Sequence, residues 1–97
     1  MEEVIIAEQD IVNAICLFMS DKKEIAPDAV RVELIYDDDY GFSAEVYVDG
    51  RMQVLVESSI IEAVRFWLDT AVQVDPYAAS LRLELDPQEG IIMLYQA

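Results

Sequence analysis

The chain has no histidine, a single cysteine, three glycines and only six basic residues among its 97. Without histidine, the commonest general base and metal ligand is missing. The lone cysteine, Cys16, excludes an internal disulfide and fits a reducing compartment. Gly41, Gly50 and Gly90 each fall in a turn, which leaves no glycine-rich loop to cradle a phosphate. No apolar run approaches the ~18 residues of a membrane span. The start, Met1-Glu2-Glu3, lacks the basic character of a signal peptide. Six Lys and Arg against 20 Asp and Glu give a net charge of −14, a field that repels nucleic-acid backbones and anionic membranes. These absences predict a cytoplasmic protein without cofactor that binds neither nucleic acid nor membrane directly.

What is present is an apolar, strongly patterned chain. Hydrophobic residues make up 55% of it, which argues against disorder despite the charge. The length suits one domain spanning residues 1–97. From Glu8 to Lys22, Ile11, Val12, Ile15, Phe18 and Met19 share one helical face opposite Asn13 and Ser20. Acids at its start and Lys22 and Lys23 at its end suit the helix dipole. Val4-Ile5-Ile6 before it reads as either a short edge strand or an apolar lead-in. A second helix begins near Ser58, with Ser59 and Glu62 spaced as a capping box. Its apolar face is Ile60, Ile61, Val64, Trp67, Leu68 and Ala71, with Phe66 on the polar side.

Strict alternation between the helices predicts three half-buried strands. Val30, Val32, Leu34 and Tyr36 oppose Arg31, Glu33 and Ile35; Phe42, Ala44 and Val46 oppose Ser43, Glu45 and Tyr47. Met52, Val54 and Val56 then read as the core face of the third strand. That assignment requires Val46 to pair with Met52 and Ala44 with Val54, because directly opposed side chains share a face. The turn would then be Val48-Asp49-Gly50 with a bulged Gly50 at positive φ, although Asp49-Gly50 alone signals a two-residue turn. Tyr47 would face Arg51 on the outside. For the first hairpin, pairing Tyr36 with Phe42 sets Glu33 against Glu45; sliding by two residues brings Arg31 to Glu45 and is favoured by charge. Both registers stay open. After Asp75-Pro76, Leu81, Leu83 and Leu85 alternate with Arg82 and Glu84, a turn follows at 86–90, and Ile91 to Tyr95 form a last strand. No internal repeat is visible. The order α-β-β-β-α-β-β predicts an α+β, two-layer α/β sandwich, a mostly antiparallel sheet with two helices on one face.

The densest charge is Asp37-Asp38-Asp39 between Tyr36 and Tyr40. Read as a calcium loop from Asp37, it fails: Phe42 takes the obligatory glycine position and Val48 the closing glutamate. Weak magnesium binding by Asp37, Asp38 and Asp39 is the metal alternative, and a solvated turn is the simpler reading. Cys16 within the first helix has no histidine to activate it and reads as a structural thiol. With so few catalytic parts, no enzyme activity is expected.

The uncovered sheet face is more informative. Opposite the helices it would carry Arg31, Glu33, Glu45, Arg51, Arg82 and Glu84 together with Ile35, Tyr47 and Leu55. The last strand is apolar at every position, so Ile92 and Leu94 would face outward as well, unusual for a sheet side left in water. Ile35, Tyr47, Arg51, Leu55, Arg82, Ile92 and Leu94 therefore form the predicted interaction patch, covered by a second copy or another protein.

Several stretches resemble a known family. Glu8-Gln9-Asp10, Tyr36-Asp37-Asp38-Asp39-Tyr40-Gly41-Phe42-Ser43-Ala44-Glu45-Val46-Tyr47-Val48, Gly50-Arg51, Glu62-Ala63-Val64-Arg65-Phe66-Trp67-Leu68 and Glu89-Gly90-Ile91 are similar to the YxcD-like proteins. That resemblance implies a small acidic bacterial cytoplasmic protein of unassigned function, and it carries over no catalytic residue. The residues predict a protein-interaction module that is homodimeric through the open sheet face. The alternative is an acidic mimic of nucleic acid that inhibits a DNA- or RNA-binding protein, and a third reading is a weak divalent-metal-dependent enzyme.

Overall fold

A computed structural model describes residues 3–73 and 80–96. The chain runs β1 (Glu3–Ile6), α1 (Glu8–Lys23), a 3-10 turn at Pro27–Ala29, β2 (Arg31–Asp37), β3 (Gly41–Val48), β4 (Arg51–Val56), α2 (Glu57–Trp67, continued by a π-helical turn at Leu68–Val72), β5 (Ser80–Asp86) and β6 (Gly90–Gln96). The predicted α+β order is present, preceded by β1 as a true strand. The Asp75-Pro76 break lies outside the described residues. Instead of one sheet there are two antiparallel three-stranded sheets, ordered β1-β6-β5 and β2-β3-β4. Extents of 42 × 33 × 20 Å fit one layer of helix over one of sheet, each about 10 Å thick.

One core joins both halves. Ile11, Ala14, Ile15, Phe18 and Met19 of α1 and Ile60, Ala63, Val64 and Leu68 close on Ile6, Ala44, Val46, Leu55, Leu83, Ile91 and Met93. The helices touch directly where Phe18 meets Phe66 edge-on, ring centroids 5.7 Å apart. Phe66 is therefore a packing residue, and the polar side expected for it is wrong. The capping box is also absent: the N-cap is Val56, three residues before Ser59, so α2 starts at Glu57 and has no side-chain cap.

A repeat hidden in the sequence is plain in the fold. A constant offset of 49 residues carries Glu8 to Glu57, Asp37 to Asp86 and Gly41 to Gly90, and maps α1 onto α2 with its π-helical turn. Each half is a β-α-β-β unit, and each lends its first strand to the other's sheet: β1 pairs with β6, and β4 with β3. Both helical segments end on a left-handed residue, Glu24 at φ 55° and Gln73 at φ 61°. The two hairpins without Asp49-Gly50 share one design. The Oδ1 of Asp37 accepts from the N–H of Asp39 (2.7 Å) and Tyr40 (3.1 Å); that of Asp86 accepts from Gln88 (2.8 Å) and Glu89 (2.9 Å). Each turn closes on a glycine in the left-handed region, Gly41 at φ 80° and Gly90 at φ 81°.

This turn chemistry settles the first hairpin as Tyr36 opposite Phe42 and Asp37 opposite Gly41, with Glu33 facing Glu45. Charge alone favoured the other register, but the aspartate cap and the glycine fix the loop. Glu45 is instead bonded by the Tyr47 hydroxyl, which donates to Oε1 at 2.6 Å.

The second hairpin departs from expectation. Val48 pairs with Arg51, Tyr47 with Met52, Val46 with Gln53 and Ala44 with Leu55. The turn is the two-residue Asp49-Gly50, both at positive φ (51° and 74°), as a type I′ turn requires. Positive φ at Gly50 is as expected, and the bulged three-residue loop is not formed. β4 is a sheet edge, so one inward Leu55 suffices for the core, just as Ile6 does on β1 at the equivalent position. Met52, Val54 and Val56 consequently point away from the core.

Candidate interaction surface and adjoining cleft

The register decides which side chains are available. On the outer face of β2-β3-β4 lie Arg31, Glu33 and half-buried Ile35, then Ser43, Glu45 and half-buried Tyr47, then Met52, Val54 and Val56. The last three are 51%, 52% and 58% exposed. Tyr47 is held from both sides: its hydroxyl donates to Glu45, and the Arg31 guanidinium lies 4.2 Å from its ring centroid. The cation over Tyr47 is thus Arg31 and not Arg51. The bond to Glu45 stabilises the protonated phenol and raises its pKa, with loss of hydration and the Glu45 charge acting the same way.

The predicted patch separates into three groups. Ile35 and Tyr47 stay on the outer face of β2-β3-β4. Leu55 is buried in the core, and Arg51 shares the helix side of its sheet with Gln53 and Val46, both because β4 is turned over relative to expectation. Arg82, Ile92 and Leu94 belong to the other sheet. Ile92 and Leu94 do lie opposite the core residues Ile91 and Met93, yet are only 4% and 9% exposed. Arg82 stands opposite Leu94 and Glu84 opposite Ile92, and these two charges pair with each other at 2.8 Å. What the sequence missed is the row Met52, Val54 and Val56. The Asp49-Gly50 dipeptide was the signal for it.

The aspartate triplet is a hairpin tip. Asp37 uses its carboxylate on the turn's own backbone, Asp38 and Asp39 stand in solvent, and Tyr40 is 91% exposed. Among the described residues no group of three or more His, Cys, Asp or Glu converges as a metal site. The Cys16 thiol is pushed above its ordinary pKa by burial, and its Sγ lies 3.6 Å from the Val30 carbonyl oxygen, a weak donor bond. That environment suits packing and not nucleophilic attack. No helix among the described residues is long and apolar enough to cross a membrane.

On the helix side of β3 and β4 a depression of roughly 530 Å³ is lined by Lys23, Ile25, Val46, Val48, Asp49, Arg51 and Gln53. It adjoins a smaller one at Lys23 and Gln53, which adds Lys22, Ser59 and Glu62 over Phe18, Met19 and Leu55. The 49-residue offset places a different cleft in the other half, about 270 Å³ and mostly apolar, with Val4, Ile6, Trp67, Leu68, Val72 and Tyr95 in its wall beside Asp10.

Comparison with known proteins agrees with the resemblance in sequence. Residues 1–88 match the profile described as protein of unknown function (DUF2653). The chain belongs to the DUF2653 family. The chain is also similar to the uncharacterized protein YxcD of Bacillus subtilis (strain 168), 30% identical over 92 residues that cover 94% of this chain and 90% of that protein. No solved structure matches the chain. The match spans both β-α-β-β halves, so this member of the family shares more than one motif with its relative.

Proposed function

We propose that this DUF2653 protein acts by association, as a homodimer through the outer face and free edge of the β2-β3-β4 sheet. One observation carries the reading: Met52, Val54 and Val56 form an exposed apolar row on a strand whose far edge has no partner among the described residues. Unpaired, uncharged edges invite a further strand, and folded proteins ordinarily guard them with charge. Two other edges are guarded along their length, β2 by Arg31, Glu33 and Asp37 and β5 by Arg82, Glu84 and Asp86, while β1 and β4 each carry one charge, Glu3 and Arg51, at their first residue. Within β4 no charge falls between Met52 and Val56. Two copies of β4 meeting antiparallel around Val54 set Val54 against Val54 of the partner subunit and Met52 against the partner's Val56. All these side chains remain on one face, which Ile35 and Tyr47 extend.

Mimicry of nucleic acid fits this face less well, because Arg31 over Tyr47 and the Arg82–Glu84 pair interrupt the acids on the outer surfaces. The test is mass in solution by light scattering or sedimentation. The wild type is expected to be dimeric and Val54→Lys monomeric, with unchanged circular dichroism, since a lysine there blocks edge pairing without touching the core. A wild type that is monomeric at every concentration, or a Val54→Lys variant as dimeric as the parent, overturns the reading.

A further inference from the structure

The chain has 20 acidic residues for six basic ones, so every cation could find a carboxylate. Lys23 and Arg51 have none among the described residues, and both line the same depression beside β4. Lys22 at its continuation faces the Phe18 ring, 4.8 Å from the centroid, and does not neutralise an acid. Half of the chain's basic residues thus line two adjoining depressions, whose walls also include one acid each, Asp49 and Glu62. Its wall is apolar where Ile25, Val46 and Val48 contribute, and Gln53 adds an amide.

The duplicated architecture supplies an internal control. In the other half the equivalent cleft has Val72 in place of Lys23, Val4 in place of Gln53 and Tyr95 in place of Val46. The β-α-β-β unit therefore does not need a cation at the Lys23 position, while the counterpart of Arg51 lies outside the described residues. Lys23 also favours the C-terminal end of the α1 dipole, whereas Arg51, exposed at the start of β4, has neither a helix end nor a described carboxylate to serve. A concave site with apolar walls also concentrates its local potential against the negative field of the rest.

From this we infer that the depression is a binding site for a small organic anion, a carboxylate or a phosphate ester joined to an apolar body. The anion would lie between Lys23 and Arg51, with Gln53 donating to it, and the apolar part would rest on Val46, Val48 and Ile25. Arg51 offers the planar fork suited to either oxyanion and Lys23 a point charge. The proposal concerns the helix side of the sheet and does not depend on dimerisation through the outer side.

The test is an NMR titration of the full chain with hexanoate, hexyl phosphate, inorganic phosphate and hexanol. Saturable shifts at Gln53, Val46 and Val48, with Val4, Val72 and Tyr95 unmoved, are expected for at least one of the first two probes. Response to hexanoate alone assigns the carboxylate source, response to hexyl phosphate alone the phosphate source, and response to both the shared chemistry. Lys23→Gln and Arg51→Gln, both at exposed positions, should each weaken the responding probe about tenfold. Hexanol acting as strongly as the anions, equal binding by both variants, or no saturation at tens of millimolar overturns the assignment. Val54→Lys, which separates the subunits, should bind the same probe, so loss of the dimer and loss of the site are read independently.

Discussion

Asp37 and Asp86 show how much one residue decides in this fold. Each accepts two backbone N–H groups of its own turn, and for Asp86 these bonds from Glu89 and Gln88 hold the carboxyl below its ordinary pKa. The glycines that close the turns differ in surroundings. A Cβ at Gly90 would stand 3.2 Å from Oε1 of Glu8, the same oxygen that accepts the N–H of Ile91 at 3.3 Å. At Gly41 the nearest atom is Oε2 of Glu57, at an ordinary 3.7 Å. Gly41→Ala should therefore cost the left-handed conformation alone, about 1 kcal/mol. Gly90→Ala should cost more, since it also displaces Glu8 from its bond. Melting temperatures are expected to fall by roughly 4–8 °C for each kcal/mol in a chain of this size. Adding Glu8→Ala should make the two glycine variants alike; equal losses in the wild-type background would show that the Glu8 contact is without consequence.

At the level of elements, most of the chain was legible. The 3.6-residue pattern placed α1 to within a residue, and two-residue alternation gave the correct faces of β2, β3 and β5. β4 failed for a physical reason: alternation says which residues share a face, not which face is inside. Met52, Val54 and Val56 look like a core row because edge strands in water are seldom that apolar, and the turn chemistry that contradicted them was local and correct. The repeat was hidden because the halves retain identity only where backbone or close packing demands it, as in Asp37/Asp86, Gly41/Gly90, Ala14/Ala63 and Ile11/Ile60. The cationic cleft was unreadable, since Lys23 and Arg51 are far apart in sequence and meet only after β4 pairs with β3. The observed register gives opposite consequences for neighbouring residues. Leu55→Ala should destabilise by about 2–5 kcal/mol, the usual loss for a buried leucine, while Val54→Ala should cost under about 1 kcal/mol beyond any loss of dimer. Urea denaturation in the Val54→Lys background isolates the first effect, and a small loss for Leu55→Ala would restore the bulged register.

For the whole molecule, the two halves form a two-fold arrangement within one chain, yet their free strands differ. β1 has four residues, beginning at Glu3 with Val4 and Ile5 exposed after it, while β4 has six and the longer apolar row. The longer β4 edge offers more room to a second copy, and pairing through that edge alone would give a closed pair and not a growing chain. Association must nevertheless bring together two molecules of net charge −14 each. Their repulsion is long-ranged at low salt and screened as the Debye length contracts, from about 10 Å at 0.1 M to about 3 Å at 1 M. Burial of Met52, Val54 and Val56 is not weakened by the same change. The dimer dissociation constant should therefore fall as sodium chloride rises, with Val54→Lys monomeric throughout the range. Sedimentation equilibrium across that series checks the sign: dissociation by salt would mean that ion pairs and not the apolar row hold the subunits, and would remove β4 as the contact.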